Sequence, residues 1–99
     1  YKVRAPDLDA LGLKLVGGRL LPGPGAPAAF LMYETQSGER VTLYSARTTA
    51  ADTRMHYAAE AQDGALFWAD NGVGYVVSGS GRREQLQKVA GLVHDQVER

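Results

Sequence analysis

Three glycine-bearing dipeptides, Ser37-Gly38, Asp63-Gly64 and Asn71-Gly72, punctuate the middle of this chain. Each stands between short segments rich in Val, Leu, Tyr, Phe or Trp. A two-residue loop containing Gly is the usual hairpin connection, and Asn-Gly suits a type I′ turn, which needs positive φ at both positions. Strands joined by tight hairpins must be antiparallel. The chain is therefore constrained to an antiparallel sheet through most of its 99 residues.

The strands follow from the punctuation. Leu13 to Leu21 reads as a strand interrupted by Gly17-Gly18, a pair that predicts a bulge or a close backbone approach. The run Pro22-Gly23-Pro24-Gly25-Ala26-Pro27 is a loop, because its prolines remove backbone donors and fix φ. Ala28 to Gln36 and Glu39 to Arg47 form the next pair. A polar connector over residues 48–53 leads to a weaker strand, Arg54 to Ala61, whose alanines have poor β-propensity. Ala65 to Asp70 and Val73 to Gly79 complete the set. Residues 1–12 are a lead-in, with Asp7 or Asp9 placed to cap one helical turn that Gly12 would end.

The period changes after Gly79. Leu86, Val89, Ala90, Val93 and Val97 recur at helical spacing and form one apolar stripe. A C-terminal helix is expected over residues 82–98, capped by Ser80 or Gly81, with Glu84 near its positive end. The expected fold is α+β: an antiparallel sheet of about six strands in a meander, packed by this helix. The length fits one domain, and a chain of this size can bury a core without staples.

Composition narrows the chemistry. Acidic and basic residues balance at 11 each, so no single-sign field is present to hold nucleic acid. There is no cysteine, which removes disulfides, thiolate catalysis and thiolate-held zinc. The longest apolar runs fall far short of the roughly 20 residues a membrane helix needs. No signal peptide is evident, and a chain opening at Tyr1 reads as a piece of a longer protein.

No catalytic motif emerges. Gly79-Ser80-Gly81 before a helix half-matches a dinucleotide fingerprint, but Glu84 stands where a small residue is required and no parallel strand follows. Gly74 and Gly79 have P-loop spacing without the lysine, and a nucleophile elbow is absent. His56 and His94 are the only imidazoles and lie far apart, so no metal site is expected. The carboxylate pairs Asp7/Asp9 and Glu34/Glu39 sit in loops or beside a turn, not in the contrasting environments that acid–base catalysis needs. Catalytic residues, cofactors and metals are accordingly expected to be none.

The aromatic residues carry more information. Counting back from Ser37-Gly38 sets Tyr33 opposite Thr42 and Leu31 opposite Tyr44, with Phe30, Met32, Val41 and Leu43 on the other face. Counting from Asn71-Gly72 sets Trp68 opposite Tyr75 and Phe67 opposite Val76. Both faces of both hairpins are then apolar, and one helix covers only one face. Either the N-terminal segment, through Leu8, Leu11 and Leu13, covers the second face or a partner does. Tyr33, Tyr44, Trp68 and Tyr75 are the candidate partner-binding residues, since Tyr and Trp combine large contact area with polar tips. The partner would be another protein or a second copy of the chain.

The chain also resembles the extracytoplasmic C-terminal domain of proteobacterial transmembrane anti-sigma factors. The blocks that carry the resemblance occur in order: Pro6-Asp7-Leu8 with Gly12-Leu13; Leu15-Val16-Gly17-Gly18-Arg19-Leu20-Leu21-Pro22; Ala28-Ala29-Phe30-Leu31-Met32-Tyr33-Glu34; Gly38 with Arg40-Val41-Thr42-Leu43-Tyr44; then Phe67-Trp68, Gly74-Tyr75 and Ser78-Gly79. They span about residues 6 to 93. The resemblance implies a non-catalytic periplasmic domain of a single-pass inner-membrane protein. In that family a cytoplasmic segment holds an extracytoplasmic-function sigma factor, and the outer domain controls its release through protein contacts, which implies an envelope signalling protein as the partner if the face does not take a second copy. The cytoplasmic zinc motif often found in the family needs cysteines that this chain lacks, so sigma-factor binding would lie in a segment outside these residues. The alternative is a stand-alone periplasmic domain that binds a peptide or a lipid. The excess of Arg over Lys and the abundant Ala fit a GC-rich bacterial genome.

Overall fold

The computed structural model describes residues 5–23, 27–60, 63–79 and 83–97. Six strands, β1 (Lys14–Leu21), β2 (Ala28–Glu34), β3 (Arg40–Arg47), β4 (His56–Glu60), β5 (Asp63–Asp70) and β6 (Val73–Gly79), precede one helix, α1 (Arg83–Val97). All neighbours are antiparallel, in the order β1-β2-β3-β6-β5-β4. This is the expected α+β architecture. Its sheet consists of two three-stranded meanders joined where β3 pairs with β6.

That order requires the chain to pass from β3 around the β5–β6 hairpin to reach the far edge. Residues 48–55 make this passage by hydrogen bonding to the hairpin end. The Thr48 N–H donates to the Gly72 carbonyl at 3.0 Å and the Thr53 N–H to the Ala69 carbonyl at 2.9 Å. The Ala69 N–H returns to Thr53 Oγ1 at 3.0 Å, and the Asn71 N–H donates to Asp52 Oδ1 at 3.0 Å. The hairpin turn itself has φ of 55° at Asn71 and 81° at Gly72, as a type I′ turn demands.

The core lies between the sheet and α1. Leu86, Val89, Ala90 and Val93 are all fully buried, as the helical period predicts. They share one core cluster with Leu66 and Trp68 of β5, Val77 of β6, Val41 and Leu43 of β3, and Tyr33 of β2. At the edge of this layer, the Tyr57 ring lies over Gly64, where an added Cβ would stand 2.6 Å from the tyrosine oxygen. The Arg83 guanidinium lies 5.1 Å from the centre of the same ring, in cation–π range.

The lead-in completes the core. A short 3-10 turn, Asp9–Leu11, is closed by Gly12 in the left-handed region, φ 72°. Leu8 and Leu13 are each 1% exposed and belong to the core cluster. Two long-range links hold the segment. The Asp7 N–H donates to Gln96 Oε1 at 2.8 Å while Gln96 Nε2 donates back to the Asp7 carbonyl at 2.7 Å. The Tyr33 hydroxyl donates to the Pro6 carbonyl at 2.8 Å.

Four expectations need correction. The β2–β3 connection is not a two-residue turn on Ser37-Gly38. Glu34 pairs with Arg40, the Thr35 N–H bonds to the Glu39 carbonyl, and the Gly38 N–H bonds to the Thr35 carbonyl. The loop is thus three residues, with Gly38 at φ 89°. One extra loop residue shifts the register, so Tyr33 faces Val41, and Leu31 faces Leu43. Asp63-Gly64 is not a turn either: both residues pair within β5, opposite Glu60 and Ala59. The fourth strand is shorter than expected, because residues 54 and 55 belong to the connector. Finally, Leu8 and Leu13 fill the helix side of the sheet and do not cover the second face. The bulge falls as predicted, with the β1 register shifting between Leu15 and Gly17. The N-cap candidates Ser80 and Gly81, residues 24–26 of the proline loop, lead-in residues 1–4, Ala61 and the Val97 side chain lie outside the described residues.

Candidate functional site

Strand alternation and register determine what each face carries. On the helix side stand Tyr33, Val41, Leu43, Val77, Leu66 and Trp68, all buried. On the other side, register aligns one row across all six strands: Arg19, Phe30, Tyr44, Val76, Phe67 and His56. The next row is Gly17, Met32, Thr42, Ser78, Ala65 and Ala58. Among the described residues, α1 packs on β5 and β6, and Leu8 and Leu13 of the lead-in join the helix-side core. Phe30, Met32, Tyr44 and Val76 are half-buried against their neighbours, and Phe67 is 42% exposed.

The surface is apolar at its centre and polar at its margins. His56 stacks on Phe67 with ring centres 5.5 Å apart. Thr42 and Ser78 satisfy one another through a 2.6 Å hydrogen bond, which leaves a flat, low-charge patch beside the aromatic row. At one end the Arg40 guanidinium and the Glu34 carboxylate pair at 2.9 Å. At the other, the Thr48 side chain lies near Gly74 and roofs the last row.

Of the four predicted recognition residues, only Tyr44 lies on this face. Tyr33 is 1% exposed and Trp68 is 4% exposed, so both are core and not recognition residues. Tyr75 is half-buried beneath the helix side and stacks on Trp68 at 5.0 Å. The residues sequence reasoning missed are Phe30, Met32, Phe67 and Val76. The signal for two of them was present: the Asn71-Gly72 turn already separates Phe67 and Val76 from Trp68 and Tyr75.

A second feature is a cleft of about 320 Å³ between the connector, the end of β5 and α1. Asp52, Arg54, Trp68, Asp70 and His94 line it. His94 Nε2 stands 3.8 Å from Asp70 Oδ2. The cleft's hydroxyl, on Thr53, is engaged by the Ala69 N–H. Among the described residues, the buried Trp68 indole N–H has no hydrogen-bond partner. Among the described residues no group of three or more His, Asp or Glu side chains is placed to hold a metal ion.

One perturbed titrating group is structural. Burial, reinforced by the negative charge of Asp7, pushes the Tyr33 phenol up to about 12. The neutral hydroxyl is therefore the form the fold requires, and it is the form that donates to Pro6.

Along the β1 edge, Leu15, Val16 and Leu20 are 49%, 52% and 62% exposed. The helix packs mainly on β5 and β6, on the other half of the sheet. Among the described residues no helix is long and apolar enough to cross a membrane. Comparison of the chain with protein-family models, curated proteins and solved structures finds no match in any of the three.

Proposed function

We propose that this chain is a non-catalytic contact domain, the periplasmic part of a single-pass, membrane-anchored anti-sigma factor. The observation that carries the contact role is the open sheet face, where Phe30, Met32, Tyr44, Phe67 and Val76 form one apolar surface that no described element covers. Monomers rarely expose large contiguous apolar patches, and aromatic residues at the centre of a patch with a polar rim suit protein recognition. The anti-sigma assignment rests on the ordered sequence blocks, which fall mainly on β1, β2 and β3. In this reading, contacts on the open face govern whether a cytoplasmic segment releases its extracytoplasmic-function sigma factor.

The test has two stages. The gene should encode an apolar span of about 20 residues ahead of Tyr1, preceded by a cytoplasmic segment. Phe67→Asp in the full-length protein should then change expression from a reporter for the sigma factor that co-purifies with it, at unchanged protein level. A cleavable signal peptide ahead of Tyr1 would instead indicate the stand-alone peptide- or lipid-binding domain. A reporter indifferent to Phe67→Asp would remove the role of the open face.

A further inference from the structure

We propose that the occupant of the open face is a second copy of this chain, the two sheets packing face to face with their helices outermost. The proposal rests on the open face being a protein-contact surface and names the partner.

The first argument is self-complementarity. A two-fold axis parallel to the strands, passing between β3 and β6, exchanges the two halves of the sheet. It sets Phe30 against Phe67 of the second copy and Tyr44 against Val76 of the second copy. In the neighbouring row it sets Met32 against Ala65 and Thr42 against Ser78. These pairings follow from the observed register alone. Large residues meet smaller ones in the centre, as interdigitating sheet faces require. An axis along the strands also brings the two strand sets into the aligned packing typical of sandwiches.

The second argument is area. Six strands at a spacing of about 4.8 Å span about 24 Å, and six residues of strand cover about 20 Å. Two such faces remove about 1,000 Å² in projection, the lower bound for a specific interface. A weak, concentration-dependent dimer is the expected result.

The third argument is charge. The chain carries no net charge, so two copies meet without long-range repulsion. Glu34 and Arg40 at the rim neutralise each other within one copy. In the aromatic row the only ionisable side chains besides Tyr44 are Arg19 and His56, at the two outer strands where water still reaches.

Sedimentation of the 99-residue chain from low micromolar to half-millimolar concentration tests the proposal. The wild type should shift from monomer to dimer, and Phe67→Asp should weaken the dimer at least tenfold with the circular dichroism unchanged. Tyr44→Ser is the second variant and should do the same, whereas Leu20→Asp on the β1 edge should leave the dimer intact. A compensating substitution, Phe30→Lys added to Phe67→Asp, tests the axis. The two positions lie three strands apart within one sheet, about 14 Å, whereas across the axis they face each other at the roughly 10 Å spacing of packed sheets, which the two introduced side chains can span. The double variant should recover part of the affinity lost in Phe67→Asp. A wild type that stays monomeric, a dimer indifferent to Phe67→Asp and Tyr44→Ser, or a double variant that dimerises no better than Phe67→Asp alone overturns the proposal. A monomeric wild type whose Phe67→Asp variant still alters the sigma reporter would leave the contact role standing and refute only the second copy.

Discussion

Tyr33 joins the sheet, the lead-in and the core in one side chain, and its removal should have two measurable consequences. Tyr33→Phe keeps the ring, which is 1% exposed, and deletes the 2.8 Å hydrogen bond to the Pro6 carbonyl. Pro6 is buried, so its carbonyl loses a partner that water does not readily replace. The expected cost is about 1–3 kcal/mol at neutral pH. The second consequence is in the pH dependence. In the folded chain the phenol holds its proton to about 12, against 10.0 for the unperturbed group. Between those values the unfolded chain releases a proton that the folded chain retains, so rising pH favours unfolding. The stabilisation is complete below pH 10 and is lost as pH rises through 12, at about 1.4 kcal/mol per pH unit and about 2–3 kcal/mol in all. Urea melts of wild type and Tyr33→Phe, taken at intervals from pH 8.5 to pH 12, would separate the two terms. The wild type should start more stable and lose its advantage across the upper part of that range, with the curves converging. Parallel curves would refute a proton held by burial at Tyr33, and coincident curves at neutral pH would refute the hydrogen bond's contribution.

Three other substitutions test the packing. Leu86→Ala, at a position with no exposure on the face of α1 toward the sheet, should cost about 2–5 kcal/mol in a denaturant melt, and a cost below about 0.5 kcal/mol would mean the helix is not docked there. Trp68→Ala should cost about 3–5 kcal/mol, while Phe67→Ala, one residue away on the open face, should cost about 1 kcal/mol or less; equal costs would contradict the assignment of faces. Gly91→Ala should stabilise by about 0.5–1 kcal/mol, since it lies inside the helix and an added Cβ meets nothing within 4 Å; a loss of melting temperature would show that this turn is not helical in solution.

What could be read from the sequence depended on how rigidly local chemistry specifies geometry. Asn71-Gly72 admits essentially one hairpin turn, so the pairing of Trp68 with Tyr75 and of Phe67 with Val76 followed from it and is observed. The helix stripe was equally legible, because five apolar residues at helical spacing have no comparable arrangement on a strand. Ser37-Gly38 was different. A glycine at that point fits either a two-residue turn or the αL position of a three-residue loop, and the choice decides which side chains share a face. Alternation does not arbitrate, because Ala28 to Tyr33 and Val41 to Tyr44 are mostly apolar at every position. The sequence therefore placed Tyr33 beside Thr42, when it lies beside Val41 in the core. The seating of Leu8 and Leu13 was not legible for another reason. Hydrophobicity fits them to either face, and the choice is made by Gln96 and Tyr33, residues remote in sequence from the backbone groups they bind.

The division between faces has a consequence for how the site can change. Trp68 and Phe67 are neighbours in β5, yet one is 4% exposed and the other 42%. Among the described residues, α1 and Leu8 and Leu13 of the lead-in pack on the Trp68 side, and the clamp between Asp7 and Gln96 ties those two elements to each other. Stability therefore resides in one layer of side chains, and the open apolar surface resides in the adjacent layer of the same strands. Substitution at Phe30, Met32, Tyr44 or Phe67 alters the open face without touching the helix contacts. The reverse holds for Tyr33, Leu66 and Val77, where a change loosens the fold and leaves the outer chemistry as it was. An antiparallel sheet covered on one side allows this separation at single-residue spacing, because successive side chains point to opposite faces. The chemistry of the open face can thus diverge while the core remains fixed, as the proposed contact role would require.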